Sequence, residues 1–152
     1  MIKLLLILVI FITCFCVGYV INSYLKNRIL IYEDLCRMCN DFRSEIYFLQ
    51  TDYKTMLTRG NYAKQTSQLI SCFLKNGQTN SMFLKPKENG EINEFLLSIG
   101  KRDVDGEIKN LVYWENVFQI KQTQVRQFYE KYGTLILKLA IIVGAMLAII
   151  LL

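Results

Sequence analysis

The sequence predicts an all-α protein: a cytoplasmic helical bundle flanked by two transmembrane helices. Three observations carry that expectation. The chain is uncharged and largely apolar at both ends, from Leu4 to Ile21 and from Leu139 to Leu152. Its polar middle holds a single proline, Pro86, and long runs with apolar residues three and four apart. The last of these runs keeps a strict 4-3 spacing up to the second apolar end. The expected boundaries are residues 1–22, 23–134 and 135–152, with both ends of the middle domain at one membrane face.

The first segment is uncharged from Leu4 to Leu25. A helix rising about 1.5 Å per residue then spans roughly 33 Å, enough for a hydrocarbon core of about 30 Å. Lys3 before an apolar run also suits a secretory signal. No small-x-small cleavage site follows, however, because Cys16-Val17-Gly18-Tyr19 has the wrong shape. A lipoprotein signal fits poorly as well, since Thr13 precedes Cys14 where a smaller residue is expected. The segment is expected to remain as an anchor.

From Ile31 onward, Leu35, Met38, Phe42, Ile46, Leu49, Tyr53 and Met56 share a helical face, and the helix is expected to stop near Gly60. A second helix should cover Tyr62 to Leu74, with Leu69, Ile70 and Phe73 inward and Asn76-Gly77 as its stop. The stretch Lys85-Pro86-Lys87-Glu88-Asn89-Gly90 reads as a loop. A short helix, Ile92 to Ile99, should end at Gly100, where a left-handed residue is needed and glycine supplies it without a Cβ clash. Asp103 is placed to cap the next helix, and Glu107 falls in its first turn, where an acid favours the dipole.

That next helix carries Val104, Ile108, Leu111, Glu115, Phe118, Gln122, Val125, Tyr129 and Tyr132 on one stripe, which favours packing against an antiparallel neighbour. It should run through Gly133 into the second membrane segment. Leu139 to Leu152 alone gives roughly 21 Å, too short to span. Counting back to Thr134 gives roughly 28 Å and takes in Lys138, whose long side chain can snorkel to the interface. Ala140, Gly144 and Ala148 recur every four residues. In lipid, such small residues let backbones approach closely, and the first segment around Gly18 is a candidate partner, as is another membrane subunit.

Lys26, Arg28 and Arg37 follow the first segment, and Arg126, Lys131 and Lys138 precede the core of the second. Only Lys3 lies at the outer ends. By the positive-inside rule the middle domain should face the cytoplasm. With Lys3 set aside, 17 Lys and Arg stand against 13 Asp and Glu. That balance suits an anionic lipid surface and is far from a nucleic-acid footprint.

Composition narrows the chemistry. The chain has no histidine, which removes histidine triads, HExxH zinc sites and histidine proton shuttles. Gly60-Asn61-Tyr62-Ala63-Lys64 lacks the second glycine of a P-loop, and no GxGxxG occurs. Cys36-Arg37-Met38-Cys39 is a CxxC that could be redox-active or half of a zinc site. With no second pair, and Leu35, Met38 and Phe42 beside it, buried thiols acting as small apolar residues are the better account. Asp103, Asp105 and Glu107 could serve a membrane enzyme with carboxylate chemistry, against which stands their simpler use at a helix start. No catalytic residue, cofactor or metal is expected.

Phe95-Leu96-Leu97-Ser98-Ile99-Gly100-Lys101-Arg102-Asp103 is similar to the F-x-x-x-L-G-x-x-D pattern of the stage III sporulation protein AB family. The resemblance continues through Gly106-Glu107-Ile108-Lys109-Asn110-Leu111 into the heptad-like helix and the aliphatic end. Nearer the front, Gly18, Leu25 and Arg28 fall where that family has glycine, leucine and arginine, and Glu45-Ile46 sits like its L-x-x-E-I element. The departures are Glu107 in place of the usual glutamine, Ala140 in place of a glycine, and no proline between Tyr47 and Met56.

The resemblance implies a bundle like the platform-protein domains of type II secretion. It also implies a non-enzymatic role in the channel that joins mother cell and forespore during engulfment, in the mother-cell (outer forespore) membrane. The implied partners are the ATPase, stage III sporulation protein AA, the other subunits of the stage III sporulation A complex, and membrane lipid. Gly100, Asp103 and Glu107 are then the candidate structural or partner-contact residues. A two-pass scaffold or sensor outside sporulation is the alternative.

Overall fold

The computed structural model describes residues 2–48 and 53–151, apart from the side chains at 2–8, 10, 11, 47, 48, 54, 137, 148, 150 and 151. The described residues form five α-helices and no strand: α1 (Ile2–Phe48), α2 (Tyr53–Arg59), α3 (Lys64–Asn76), α4 (Pro86–Ser98) and α5 (Val104–Leu151). The protein is all-α, as the sequence predicts. It divides into two compact units, residues 27–123 and residues 1–26 with 124–152. These limits fall inside the expected bundle of residues 23–134.

The helix stops follow from backbone chemistry. The helix expected from Ile31 to near Gly60 is found as two elements, α1, which ends at Phe48, and α2, which ends at Arg59, one residue before Gly60. Leu49, expected on the inner stripe, lies outside the described residues. Helix α3 closes at Gly77, whose φ of 70° lets its N–H return to the Phe73 carbonyl at 2.8 Å. The segment Lys85–Gly90, expected as a loop, is instead the start of α4. Pro86 takes the first helical position, where its missing N–H costs nothing. The Lys85 N–H donates to Glu88 Oε2 at 2.9 Å, so the acid three residues on closes the turn.

In the unit of residues 27–123 the core is aliphatic and aromatic. Ile31, Tyr32, Leu35, Met38 and Phe42 of α1 are buried with Leu69 and Ile70 of α3, Phe95 and Leu96 of α4, and Leu111 and Phe118 of α5. Phe95 sits edge-on to Phe118 at 5.1 Å and lies 5.7 Å from Trp114, which stacks on Phe118. Tyr32 reaches the same cluster, 6.4 Å from Phe118. Such ring pairs add about 0.5–1.5 kcal/mol each beyond the area they bury.

Polar contacts tie α1 to its neighbours in turn. Arg28 pairs with Glu88 of α4. The buried Asp34 accepts the Ala63 N–H at the head of α3, at 2.8 Å. Asn40 and Arg43 reach Glu115 of α5 at 2.9 and 3.1 Å. Glu115 therefore belongs to the α5 stripe as a polar seam. Two members of that stripe are corrected: Val104 and Tyr132 are exposed, whereas Trp114, one residue off the pattern, is buried.

The unit of residues 1–26 and 124–152 is built differently. Gly18, Gly133 and Gly144 are buried, and Ala140 is half-buried. A Cβ on Gly133 would come within 3.2 Å of both Asn22 Oδ1 and the Tyr129 ring, so glycine lets the two arms close there. Meanwhile Val17, Val20, Leu139, Ile142, Met146 and Ile149 face outward. The Ala148 side chain lies outside the described set. Among the described residues no helix is long and apolar enough to cross a membrane. Of the expected spans, the side chains at 2–8, 10, 11, 137, 148, 150 and 151, and all of residues 1 and 152, lie outside that description.

Candidate functional site

The sequence candidates Gly100, Asp103 and Glu107 meet at one corner, between the end of α4 and the start of α5. Ile99 is extended and buried, and Gly100 turns left-handed with φ 75°. The Gly100 N–H then points at Glu107, whose Oε1 accepts it at 3.1 Å. The Glu107 N–H donates to the Asp103 carbonyl at 2.8 Å, the first helical bond of α5. Ser98 completes the corner: its Oγ donates to the Phe95 carbonyl at 2.8 Å and accepts Asn110 Nδ2 at 3.0 Å.

Glu107 is thus more than a first-turn acid. It is only 4% exposed and clamps the turn that precedes its own helix. Its second oxygen, Oε2, is buried without a hydrogen-bond partner. Sequence reasoning missed the clamp because it crosses a left-handed residue, which no helical or strand period describes. A glutamine at this position would also present an Oε1 acceptor. Asp103 stays exposed, with its Oδ1 over the first turn, 2.6 Å from where a Cβ on Gly106 would stand. Glycine at 106 therefore gives that carboxylate its place.

Beside the corner lies a cavity of about 270 Å³, lined by Phe42, Tyr53, Met56, Ile99 and Glu107 among others. Its walls are mostly apolar, which suits packing rather than bond-making chemistry. Asp103 and Asp105 are exposed whereas Glu107 is buried.

A second polar cluster, unforeseen apart from Arg28 itself, joins Arg28, Glu88 and Tyr32. Burial alone would raise the Glu88 carboxyl. The Lys85 backbone N–H and the Arg28 guanidinium outweigh it and hold the carboxyl below its ordinary value. Burial, and then the Glu88 charge, push the Tyr32 hydroxyl up. The signal for this cluster was Glu88 three residues after Lys85-Pro86, the spacing of a capping box.

The CxxC thiols sit on α1, and all five cysteines are free. Burial and the nearby Glu115 and Glu33 push Cys36 up to about 11, and burial pushes Cys39 higher still. Both are thiols at neutral pH, unlike a reactive cysteine, whose thiolate is stabilised. Among the described residues no group of three or more His, Cys, Asp and Glu is placed to hold a metal.

No family model, curated protein or solved structure matches this chain.

Proposed function

We propose that the chain is a non-enzymatic, two-pass membrane platform subunit, of the kind the stage III sporulation protein AB family supplies to the channel between mother cell and forespore. In this reading residues 1–22 and 135–152 cross the mother-cell membrane, and the bundle stands in the cytoplasm. There it receives work from the ATPase, stage III sporulation protein AA, and passes it to the other subunits of the complex.

The observation that carries the membrane part is the packing of residues 1–26 and 124–152: glycines inside and, beyond Leu25 and Val125, most described aliphatic side chains outside. A water-facing pair of helices buries its aliphatic side chains, because each one buried gains about 1.5–3 kcal/mol. In lipid that gain vanishes, and close backbone approach at small residues takes its place. Lys138 lies five residues beyond Gly133, within snorkelling reach of the interface. The sporulation part rests on the sequence resemblance. It is supported by the way Gly100 and Asp103, which carry that resemblance, converge on one built corner with Glu107, where the family usually has glutamine.

The test is genetic and biochemical together. In an endospore-forming host, loss of the chain should arrest sporulation after engulfment, and the tagged full chain should co-purify with the ATPase from detergent extracts. Normal spore yield, with no ATPase in the eluate, would place the chain outside sporulation, as a scaffold or sensor.

A further inference from the structure

We infer that the arms of residues 1–26 and 124–152 carry a headgroup-level belt that selects anionic phospholipid. The inference rests on the membrane reading above and names the lipid chemistry at that site. Charge is unevenly divided between the two units. Residues 1–26 and 124–152 hold Lys3, Lys26, Arg126, Lys131 and Lys138 against a single acid, Glu130, while residues 27–123 are nearly balanced.

The excess is concentrated at one level. Asn22 and Gly133 mark the closest approach of the arms. Lys26 stands about one turn from Asn22, toward residue 27. Arg126 and Lys131 stand within about two turns of Gly133, toward residue 123. At 5.4 Å per turn the three basic side chains fall in a layer about 11 Å deep. All three are exposed.

Aromatic side chains occupy the same layer. Phe128 and Tyr132 are exposed and in ring contact at 4.7 Å, and Lys131 Nζ lies 5.2 Å from the Tyr132 ring centre. On the other side of Asn22, Tyr19 is exposed as well. Tyrosine rings with neighbouring lysine and arginine are the composition of a membrane interface, where rings sit at headgroup depth. Beyond that level the outward surface turns to Val17, Val20, Leu139 and Ile142. The exposed Glu130 lies in the same layer, so three cations stand against one acid; the layer therefore offers net positive charge where phosphate and glycerol headgroups lie and aliphatic surface where acyl chains lie. A phosphatidylcholine headgroup carries no net charge. A phosphatidylglycerol headgroup does, and near a surface each lysine or arginine contributes about 1 kcal/mol toward anionic lipid, or about fivefold.

The test uses the full chain reconstituted in bilayers that contain a spin-labelled probe lipid, either phosphatidylglycerol or phosphatidylcholine. The spectrum separates lipid held at the protein surface from bulk lipid. The expected result is a preference for the phosphatidylglycerol probe of about fivefold or more, shrinking as salt is added. The variant Lys26→Gln/Arg126→Gln/Lys131→Gln should bring the two probes close to parity. The variant Lys64→Gln/Lys75→Gln/Lys109→Gln removes equal charge from exposed sites in the other unit and should keep the preference. Equal retention of both probes by the wild type overturns the belt while leaving the membrane reading intact. So does a loss of preference shared by both variants. If neither probe is held at the protein surface, the chain is not in the bilayer and both readings fall.

Discussion

The two units of this molecule use the same helical period in opposite senses. In residues 27–123 the large side chains point inward: Phe95, Phe118, Tyr32 and Leu35 are nearly sealed from solvent. In residues 1–26 and 124–152 the glycines are inside and, apart from Leu25 and Val125 near the bundle, most described large aliphatics are outside. Helices α1 and α5 pass through both units. A single helix therefore switches its packing rule along its length, and the switch is written in where glycine falls relative to leucine, isoleucine and phenylalanine. The proposed membrane reading rests on that difference.

The largest expected effect lies in the aromatic core. Phe95→Ala removes the ring that meets both Trp114 and Phe118. It should cost about 3–5 kcal/mol, read as a lower melting temperature of the full chain by circular dichroism in detergent. A melt unchanged from wild type would mean that this unit is not held by its core.

Arg28→Gln should cost about 1.5–3 kcal/mol, because Glu88 loses a charge-assisted partner in a mostly buried place. The same pair predicts a pH dependence. The Glu88 carboxyl is lowered in the folded state, so the stability it contributes is present above the ordinary value of 4.5. That stability is lost as pH falls through the lowered native value. The wild type should lose more stability than Arg28→Gln over that acid range, and parallel acid curves would remove Glu88 from the account.

Next comes the corner. Gly100→Val puts a β-branched residue at φ 75° and should cost about 1–3 kcal/mol. Glu107→Gln keeps an Oε1 acceptor for the Gly100 N–H and should melt close to wild type. Glu107→Ala should cost about 0.5–1.5 kcal/mol, because the Gly100 N–H loses the acceptor of a part-buried hydrogen bond. Equal losses in the glutamine and alanine variants would show that the charge of Glu107, rather than its acceptor, matters.

The arms should answer to different substitutions. Gly144→Leu keeps hydrophobicity yet should overfill a buried position at about 1–3 kcal/mol, read as a lower melting temperature of the full chain. Ile142→Ala, on the exposed side of the same helix, should stay within about 0.5 kcal/mol. If Ile142→Ala proves the more damaging of the two, the arms pack by their aliphatics and the contrast between the units disappears.

Much of the bundle was legible because local rules set it. The stops at Gly77 and Gly100 follow from glycine at positive φ, and Leu69, Ile70 and Phe73 follow from period alone. The start of α4 was missed because proline, asparagine and glycine cluster between residues 85 and 90, although proline at a first helical position and a glutamate two residues later are also a helix start. Val104 and Tyr132 fit the stripe yet lie exposed. Periodicity marks a face and does not say whether a neighbour covers it. At the candidate site, Gly100 and Asp103 could be placed from sequence, whereas the Glu107 clamp and the Arg28–Glu88 pair could not. The clamp closes across a left-handed residue, which no period describes, and the pair joins α1 to α4, a pairing that one sequence does not encode.

The contrast between the units can be measured directly by placing a nitroxide on each. In a full chain whose five cysteines are replaced by alanine, single cysteines at Val20, Ile142 and Lys75 would carry the label in reconstituted bilayers. Collision rates with oxygen, which concentrates in lipid, and with a water-soluble nickel chelate report the surroundings of each label. Labels at Val20 and Ile142 should collide mainly with oxygen, and the label at Lys75 mainly with the chelate. If Val20 and Ile142 meet the chelate as readily as Lys75 does, their outward aliphatics face water, and the two units are not built for different solvents.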